Sequence, residues 1–414
     1  MNPKFWKLYL LITANVLLIG GWLVWRLVAQ GSSERAIAKI QQYGEDLYQT
    51  MPPRDPNAFA LDIKAFIERG YNAPIDSSVS SYFDDLMTSP DDHIPPIPEA
   101  IKEYLDEQAE ALMEFRDRLH QGEMPDIGVD YDVRTVDLST PVPSFINRRV
   151  LSRLIMLKAI HQHQTGEVED RSASLNAAFQ LTNSLRDRPE LMSQSVALGI
   201  ENDLLTLMRK LPDFPTPLQE QFQRSCLPRE SKMLNALRFE SYVSTSMWTD
   251  SRLLWEMTPT ERISLQVLTP YLSQIKAEQW DDWGQVQDLD TEDFFCNSNM
   301  EDIVTQISPG RWNLVDHSGI VEYQLGWLAR SQRIKLALEL TQKVHQVKGL
   351  ARQLGEFPES VKGIKDSFCE GVEWTYEVNS DGTATIYLER VPKALEEFGF
   401  SGDELIHTIS PQEV

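Results

Sequence analysis

INRRVLSRLIMLKAIHQHQTGEVEDRSASLNAAFQLTNSLRDRPELMSQSVALGIENDLLTLMRKL, residues 146–211, decides the fold class of this chain. Val150, Leu154 and Leu157 fall on one helical face, Leu175, Ala178, Leu181 and Leu185 on a second, and Leu191, Val196, Ile200, Leu204, Leu207 and Leu211 on a third. Such 3.6-residue recurrence marks amphipathic helices. Gly166 and Pro189 punctuate the joins, so the spacing predicts three helices, over 146–163, 172–186 and 189–211. Joins this short make neighbouring helices pack antiparallel. Pro212, Pro215 and Pro217 stop the third helix, because proline cannot continue the backbone hydrogen-bond ladder.

Outward from this core the pattern stays helical. Towards the N-terminus, PEAIKEYLDEQAEALMEFRDRLHQG opens at Pro98 and reads as one helix, with Pro in the first position and Glu99 in the first turn. Residues 122–144 lack helical period and read as a partly extended excursion. Towards the C-terminus, helices are predicted over 216–246, 259–279, 299–307 and 318–354. Past Gly355, Trp374, Tyr376 and Val378 alternate with Glu373, Thr375 and Glu377, and a second run from Thr383 to Arg390 follows Asp381-Gly382. Alternation about an Asp-Gly turn predicts a β-hairpin. Residues 33–50 read as a short amphipathic helix. Residues 51–97, rich in Pro, Asp and Ser and including TSPDDHIPPIP, read as an irregular spacer.

The N-terminus has another character. LYLLITANVLLIGGWLVW, Leu8 to Trp25, is uncharged and long enough to cross a bilayer core, with Trp6, Tyr9, Trp22 and Trp25 near its ends and Arg26 placed to snorkel. A cleaved signal peptide is the rival reading, but the run exceeds a signal's apolar region and no A-x-A site follows. Lys4 and Lys7 before the span suggest a cytoplasmic N-terminus and a body outside the cytoplasm. The expected organisation is therefore a tail and transmembrane anchor (1–30), a membrane-proximal helix and connector (31–97), a helical body (98–354) and a C-terminal β-hairpin segment and tail (355–414). The fold class expected is mainly α, with one transmembrane helix, a body of helical hairpins and a small C-terminal β-hairpin.

The net charge of −23 argues against nucleic-acid binding, because an acidic body repels phosphate backbones. Residues 1–30 contain only basic charges, so the body is more acidic still. The three cysteines, Cys226, Cys296 and Cys369, form no C-x-x-C pair. They allow one disulfide at most, and the fold is expected not to depend on any of them.

Two stretches carry a resemblance. Residues 151–211, with the break at Arg188-Pro189-Glu190-Leu191, are similar to a helical region of uncharacterised single-span bacterial membrane proteins. Leu354-Gly355-Glu356-Phe357-Pro358-Glu359-Ser360-Val361 and the hairpin after it resemble the G-x-[YF]-P-x-S-[LV] segment and hairpin of pseudopilin-like C-terminal regions. The resemblance implies a helix ending at the Gly, an aromatic-Pro turn packed beneath it and a hairpin covering the core. Two departures stand out. Leu8–Trp25 has neither the cleavable leader nor the acid of pilins, and Asp366-Ser367-Phe368-Cys369-Glu370-Gly371 replaces the usual D-P-[FW]-G turn. The resemblance therefore implies placement at the bacterial inner membrane rather than pilin assembly or a particular activity.

No catalytic motif emerges. His161-Gln162-His163 lies near Glu167, Glu169 and Asp170, but residues two apart do not share a helix face, so a metal site is not expected. Ser273-Gln274-Ile275-Lys276 matches S-x-x-K without its companion motifs and reads as a solvated helix face. The acidic run from Glu278 to Asp293 lacks the EF-hand spacing and reads as a solvated loop, and Asn379-x-Asp381-Gly382 reads as the hairpin turn. Trp248, Trp255, Trp280, Trp283, Trp312 and Trp327 read as core, with an aromatic groove for a peptide or glycan as the functional alternative. No cofactor is expected. The leading expectation is a non-enzymatic, membrane-anchored helical protein that binds a protein partner or serves envelope assembly. The alternative is an extracytoplasmic hydrolase assembled from scattered residues such as the acids of 281–293 and His317.

Overall fold

The protein is seen in a computed structural model that describes residues 35, 38–39, 41–49, 59–60, 73–121, 123, 125–126, 133–135, 145–226, 229–249, 296 and 318–411. The Leu8–Trp25 run and the helices expected over 259–279 and 299–307 lie outside the described residues. Among those residues no helix is long and apolar enough to cross a membrane. The chain divides into two compact units: residues 1–50, 131–140 and 238–284 form one, and the remainder forms the other.

In the first unit, residues 41–49 are helical. Arg134 joins its pieces: the guanidinium pairs with Glu45 at 3.3 Å and stacks over the Tyr48 ring, and the backbone carbonyl accepts a hydrogen bond from the buried Tyr242 hydroxyl.

The second unit is built on the helices read from 146–211. They are α4 (Ile146–Thr165), α5 (Val168–Arg186) and α6 (Leu191–Lys210), preceded by α1 (Ala73–Thr88), α2 (Glu99–Glu107) and α3 (Ala109–His120). Leu154, Leu157, Leu175, Leu181, Leu185, Ile200, Leu204 and Leu207 are completely buried, so the predicted stripes are the core. Gly166 ends α4 in the left-handed conformation (φ +80°), which costs glycine no Cβ clash. Gln194 closes the next join, donating from Nε2 to the carbonyls of Arg186 (3.0 Å) and Arg188 (2.6 Å). Two helices, α7 (Thr216–Cys226) and α8 (Arg229–Thr249, of which residues 238–249 are counted in the first unit), follow where one was expected over 216–246. The long helix α9 (Ser318–Leu354) lies against α6.

Two local expectations change. Residues 98–122 form two helices, because Gln108 leaves helical geometry (φ −101°, ψ 9°) between α2 and α3. Residues 73–88, expected as part of an irregular spacer, form α1: Val79, Tyr82, Phe83 and Leu86 supply a buried face that pattern reading overlooked among the serines and acids.

At the C-terminus, Gly355 stops α9 with φ +81°, its N–H donating to the Ala351 carbonyl at 2.7 Å. The expected hairpin is present as β1 (Trp374–Val378) and β2 (Ala384–Leu388), antiparallel with Trp374 opposite Leu388. A third strand, β3 (Ile406–Ile409), pairs antiparallel with β2 and makes β2 the central strand. A lone hairpin is marginal in water, and the third strand supplies the missing pairing. Trp374 is fully buried, and so is the Leu336/Leu340/Val344/Val347 stripe of α9. The rest of β1 is not buried; β2 and β3 lie against α9 instead, with Ala384, Ile386 and Ile409 at 0% exposure.

The structure contains the one disulfide that the cysteine count allows. Cys296 and Cys369 form a disulfide, with Cα atoms 5.3 Å apart and 73 residues of sequence separation. Cys369 sits in a loop fastened to α9, where Lys343 donates to the carbonyl of Asp366 (2.6 Å) and Ser367 donates to Glu339 (3.0 Å).

Two measurements check this packing. Trp374→Ala should lower the unfolding free energy by about 3–5 kcal/mol in urea denaturation, as for a buried aromatic; a loss below about 1 kcal/mol would detach the sheet from the core. Replacing Cys296 and Cys369 by Ser should cost about 4 kcal/mol by loop entropy alone, and an unchanged melting temperature under reducing conditions would show the bond to be dispensable.

Candidate functional site

The end of α6 organises the candidate site. The last carbonyls of a helix have no partners within it, and its C-terminus is electronegative. Here α9 supplies the donors from one face: His345 Nε2 donates to Met208 O (2.9 Å), Lys348 Nζ to Arg209 O (2.8 Å) and Leu211 O (3.1 Å), and Arg352 Nη2 to Pro212 O (2.5 Å). Positions 345, 348 and 352 recur at helical spacing, so the alignment follows from α9 being continuous. A carbonyl only accepts, so His345 carries its proton on Nε2; its Nδ1 is buried without a hydrogen-bond partner among the described residues.

Lys348 also pairs with Asp92, Nζ to Oδ1 at 2.7 Å, and both side chains are at most 1% exposed. The same oxygen accepts from His407 Nε2 at 2.8 Å, and Oδ2 accepts the backbone N–H of Ser410 at 2.9 Å. Burial pushes the Asp92 carboxyl up, but the hydrogen bond from His407 and the Lys348 charge outweigh it and hold it below the usual range. Burial holds the His407 imidazole down to about 4, against the pull of Asp92, with Arg209 and Lys348 adding to the depression.

The segment bearing Asp92 is held from two further sides. Lys210, the last residue of α6 and fully buried, donates to the carbonyls of Ser89 (2.9 Å) and Asp91 (2.5 Å). Burial brings its ammonium down to about 8, with Asp91 opposing that shift. On the other side the segment adds to the sheet: Asp91 bridges in parallel to Thr408, whose N–H donates to Pro90 O at 2.7 Å. Asp91 orders the turn by accepting from Ser89 Oγ (2.6 Å) and the His93 N–H (3.0 Å).

Asp91 and Asp92 of this cluster also line a cavity of about 410 Å³, whose other walls are His93 and Ile94, His163 and Gln164 at the end of α4, Thr383 in the hairpin turn, and Thr408 and Ser410. Arg171 Nη1 lies 3.1 Å from His163 Nδ1 and also pairs with Asp213. An arginine only donates, so Nδ1 accepts and the His163 proton sits on Nε2.

Of the residues weighed from sequence, His163 is at the cavity wall and His161 is not. Among the described residues, no group of three or more His, Cys, Asp or Glu is arranged to hold a metal. Asp381 closes the hairpin turn, accepting from the Thr383 N–H (3.0 Å) and hydroxyl (2.7 Å). Trp327 stacks under Arg330 at 4.2 Å. Ser273 to Lys276, the acids of 278–293, His317, Trp255, Trp280, Trp283 and Trp312 lie outside the described residues, and of Trp248 only the backbone is described. Asp92, Lys210, Lys348 and His407 were not singled out. One signal was present: Lys348 falls beside the apolar stripe of α9, where a charge needs a buried partner.

Compared with known proteins, the chain matches no family model, no curated protein and no solved structure.

The buried pair makes a prediction. Lys348→Met strands the Asp92 charge, and breaking a buried pair from one side costs about 3–5 kcal/mol. Asp92→Leu combined with Lys348→Met removes both charges and should cost clearly less than the two single losses added. A double-mutant cycle in urea that comes out additive would show that the pair is not coupled.

Proposed function

We propose that this protein is a non-enzymatic, membrane-anchored binding protein of the bacterial envelope, with its body outside the cytoplasm and a protein partner docking at the cavity that Asp92 lines. The observation that carries the reading is the engagement of Asp92, which lines the cavity, and of the groups bonded around it. Asp92, Lys348, His407 and Lys210 are all bonded to one another or to backbone. The cavity thus offers shape and hydrogen bonds from a rigid wall, which is what recognition needs.

Placement rests on three supports. Leu8–Trp25 is an apolar run of spanning length, and two lysines precede it. The Cys296–Cys369 bond favours an oxidising compartment, because cytosolic thiols are kept reduced. The pseudopilin-like reading of the C-terminal segment belongs to the same proposal. The acidic body disfavours nucleic acid as the partner.

The rival hydrolase draws on the acids of 281–293 and His317, which lie outside the described residues; an acid–imidazole pair within them is Asp92 and His407, at 2.8 Å. Both side chains are at most 2% exposed, which denies them a substrate. A general base has to come within hydrogen-bond reach of the proton it abstracts.

Site-specific photocrosslinking in cells tests the reading. A crosslinker at Gln164 or Thr383 should give one discrete protein adduct, a crosslinker at exposed Met192 should not, and His93→Arg should diminish the adduct at unchanged melting temperature. Adducts of equal yield from all three positions would reject the cavity as the docking site.

A further inference from the structure

The segment 89–93 connects α6, α9 and the β3 end, and is held largely through ionic groups. Three sets of bonds secure it: Lys210 to its carbonyls, the Thr408 N–H to Pro90, and Asp92 to Lys348, His407 and the Ser410 N–H. The same segment walls the cavity through Asp91 to Ile94. We propose that residues 89–93 form an acid-labile latch over β3, closed while His407 is neutral and released when that imidazole takes up a proton, so that the cavity is remodelled as pH falls. The proposal names a regulation of the docking site described above and rests on that reading.

The charges around His407 explain the direction. From the 89–93 segment comes Asp92, from α9 come Lys348 and His345, and from α6 comes Arg209; Lys210 acts on Asp91, Asp92 and Lys348 beside them, and Arg352 lies near His345. Cations therefore outnumber the carboxylates Asp91 and Asp92 in the cluster. A second proton on His407 would add charge where burial is complete and where Lys348 already neutralises Asp92. His345 does not share the load: burial holds it down to about 3, and among the described residues its Nδ1 has no acceptor to receive a new N–H. Lifting 89–93 uncovers His407 and lets it protonate near its ordinary value of 6.5.

The sign follows from proton linkage. His407 binds its proton more weakly in the closed state than in the open one, so stability of the closed state is full above about pH 6.5 and is lost as pH falls towards about 4. With those two values the opening equilibrium should rise roughly 20-fold between pH 7 and pH 5.

Hydrogen exchange on the full chain in detergent tests the latch, because the Thr408 and Ser410 amides bond directly to the segment. After correction for intrinsic rates, both amides should open roughly 20-fold more at pH 5 than at pH 7. Amides of α4 and α5 should not share the change. In His407→Gln, whose Nε2 can still donate to Asp92 but does not titrate, the rise should disappear. An equal rise in that variant, no rise in the wild type, or a rise spread through α4 and α5 would each overturn the latch. Should His407→Gln fail to fold, the wild type decides by itself: a His407 ring that titrates near pH 6.5 without any change in amide protection overturns it. No partner is needed here, so a failed crosslink with this exchange pattern intact rejects only the docking reading.

Discussion

Lys348 is the residue on which the second unit depends. Its ammonium completes the C-terminus of α6 by donating to Arg209 O and Leu211 O, and it neutralises the only buried carboxylate that reaches from the 89–93 segment to β3. A fully buried ammonium is tolerable only if each of its protons finds an acceptor and its charge finds a partner. Both conditions are met, and meeting them draws a helix end, a loop and a strand to one point. Few apolar contacts could do the same, because hydrophobic burial has no direction whereas these bonds do.

The surrounding electrostatics follow from that constraint. Lys210 closes the other side of the loop, and His345 and Arg352 continue the line of donors along α9. The arrangement concentrates cations in a chain that is otherwise strongly acidic. Long-range attraction from the acidic surface makes such a cluster less costly, although screening limits its reach to about 10 Å. Burial, with these cations adding to it, keeps His345 and His407 neutral, and for that reason a proton is disruptive there. Rigidity near neutral pH and sensitivity to acid thus have one origin.

The mostly apolar half of the unit is simpler. The α4–α6 core is filled by Leu, Ile and Ala at near-zero exposure, and the sheet covers α9 through β2 and β3. The disulfide joins position 296 to the loop that Lys343 and Ser367 fasten onto α9, so a covalent tie is added where polar contacts already hold the chain.

What the sequence determined by itself was whatever depends on period and local chemistry. The stripes of 146–211 and of 336–347, the stop at Gly355 and the turn at Asp381-Gly382 are legible because helix period, left-handed glycine and hairpin turns are properties of short stretches. Only the tertiary structure decided that TSPDDHIPPIP sends Asp92 and Ile97 into the core. Asp92 and His407 are separated by 315 residues, and no local pattern marks a loop carboxylate as the partner of a histidine that far away. The third strand was hidden for a related reason: Ile406–Ile409 is short and becomes a strand by pairing with β2. Cys296 and Cys369 could be counted but not paired, since pairing depends on whether the fold brings two Cα atoms to bonding range. Period is written along the chain, whereas the partner of a buried charge is set by which distant segments the folded chain brings together.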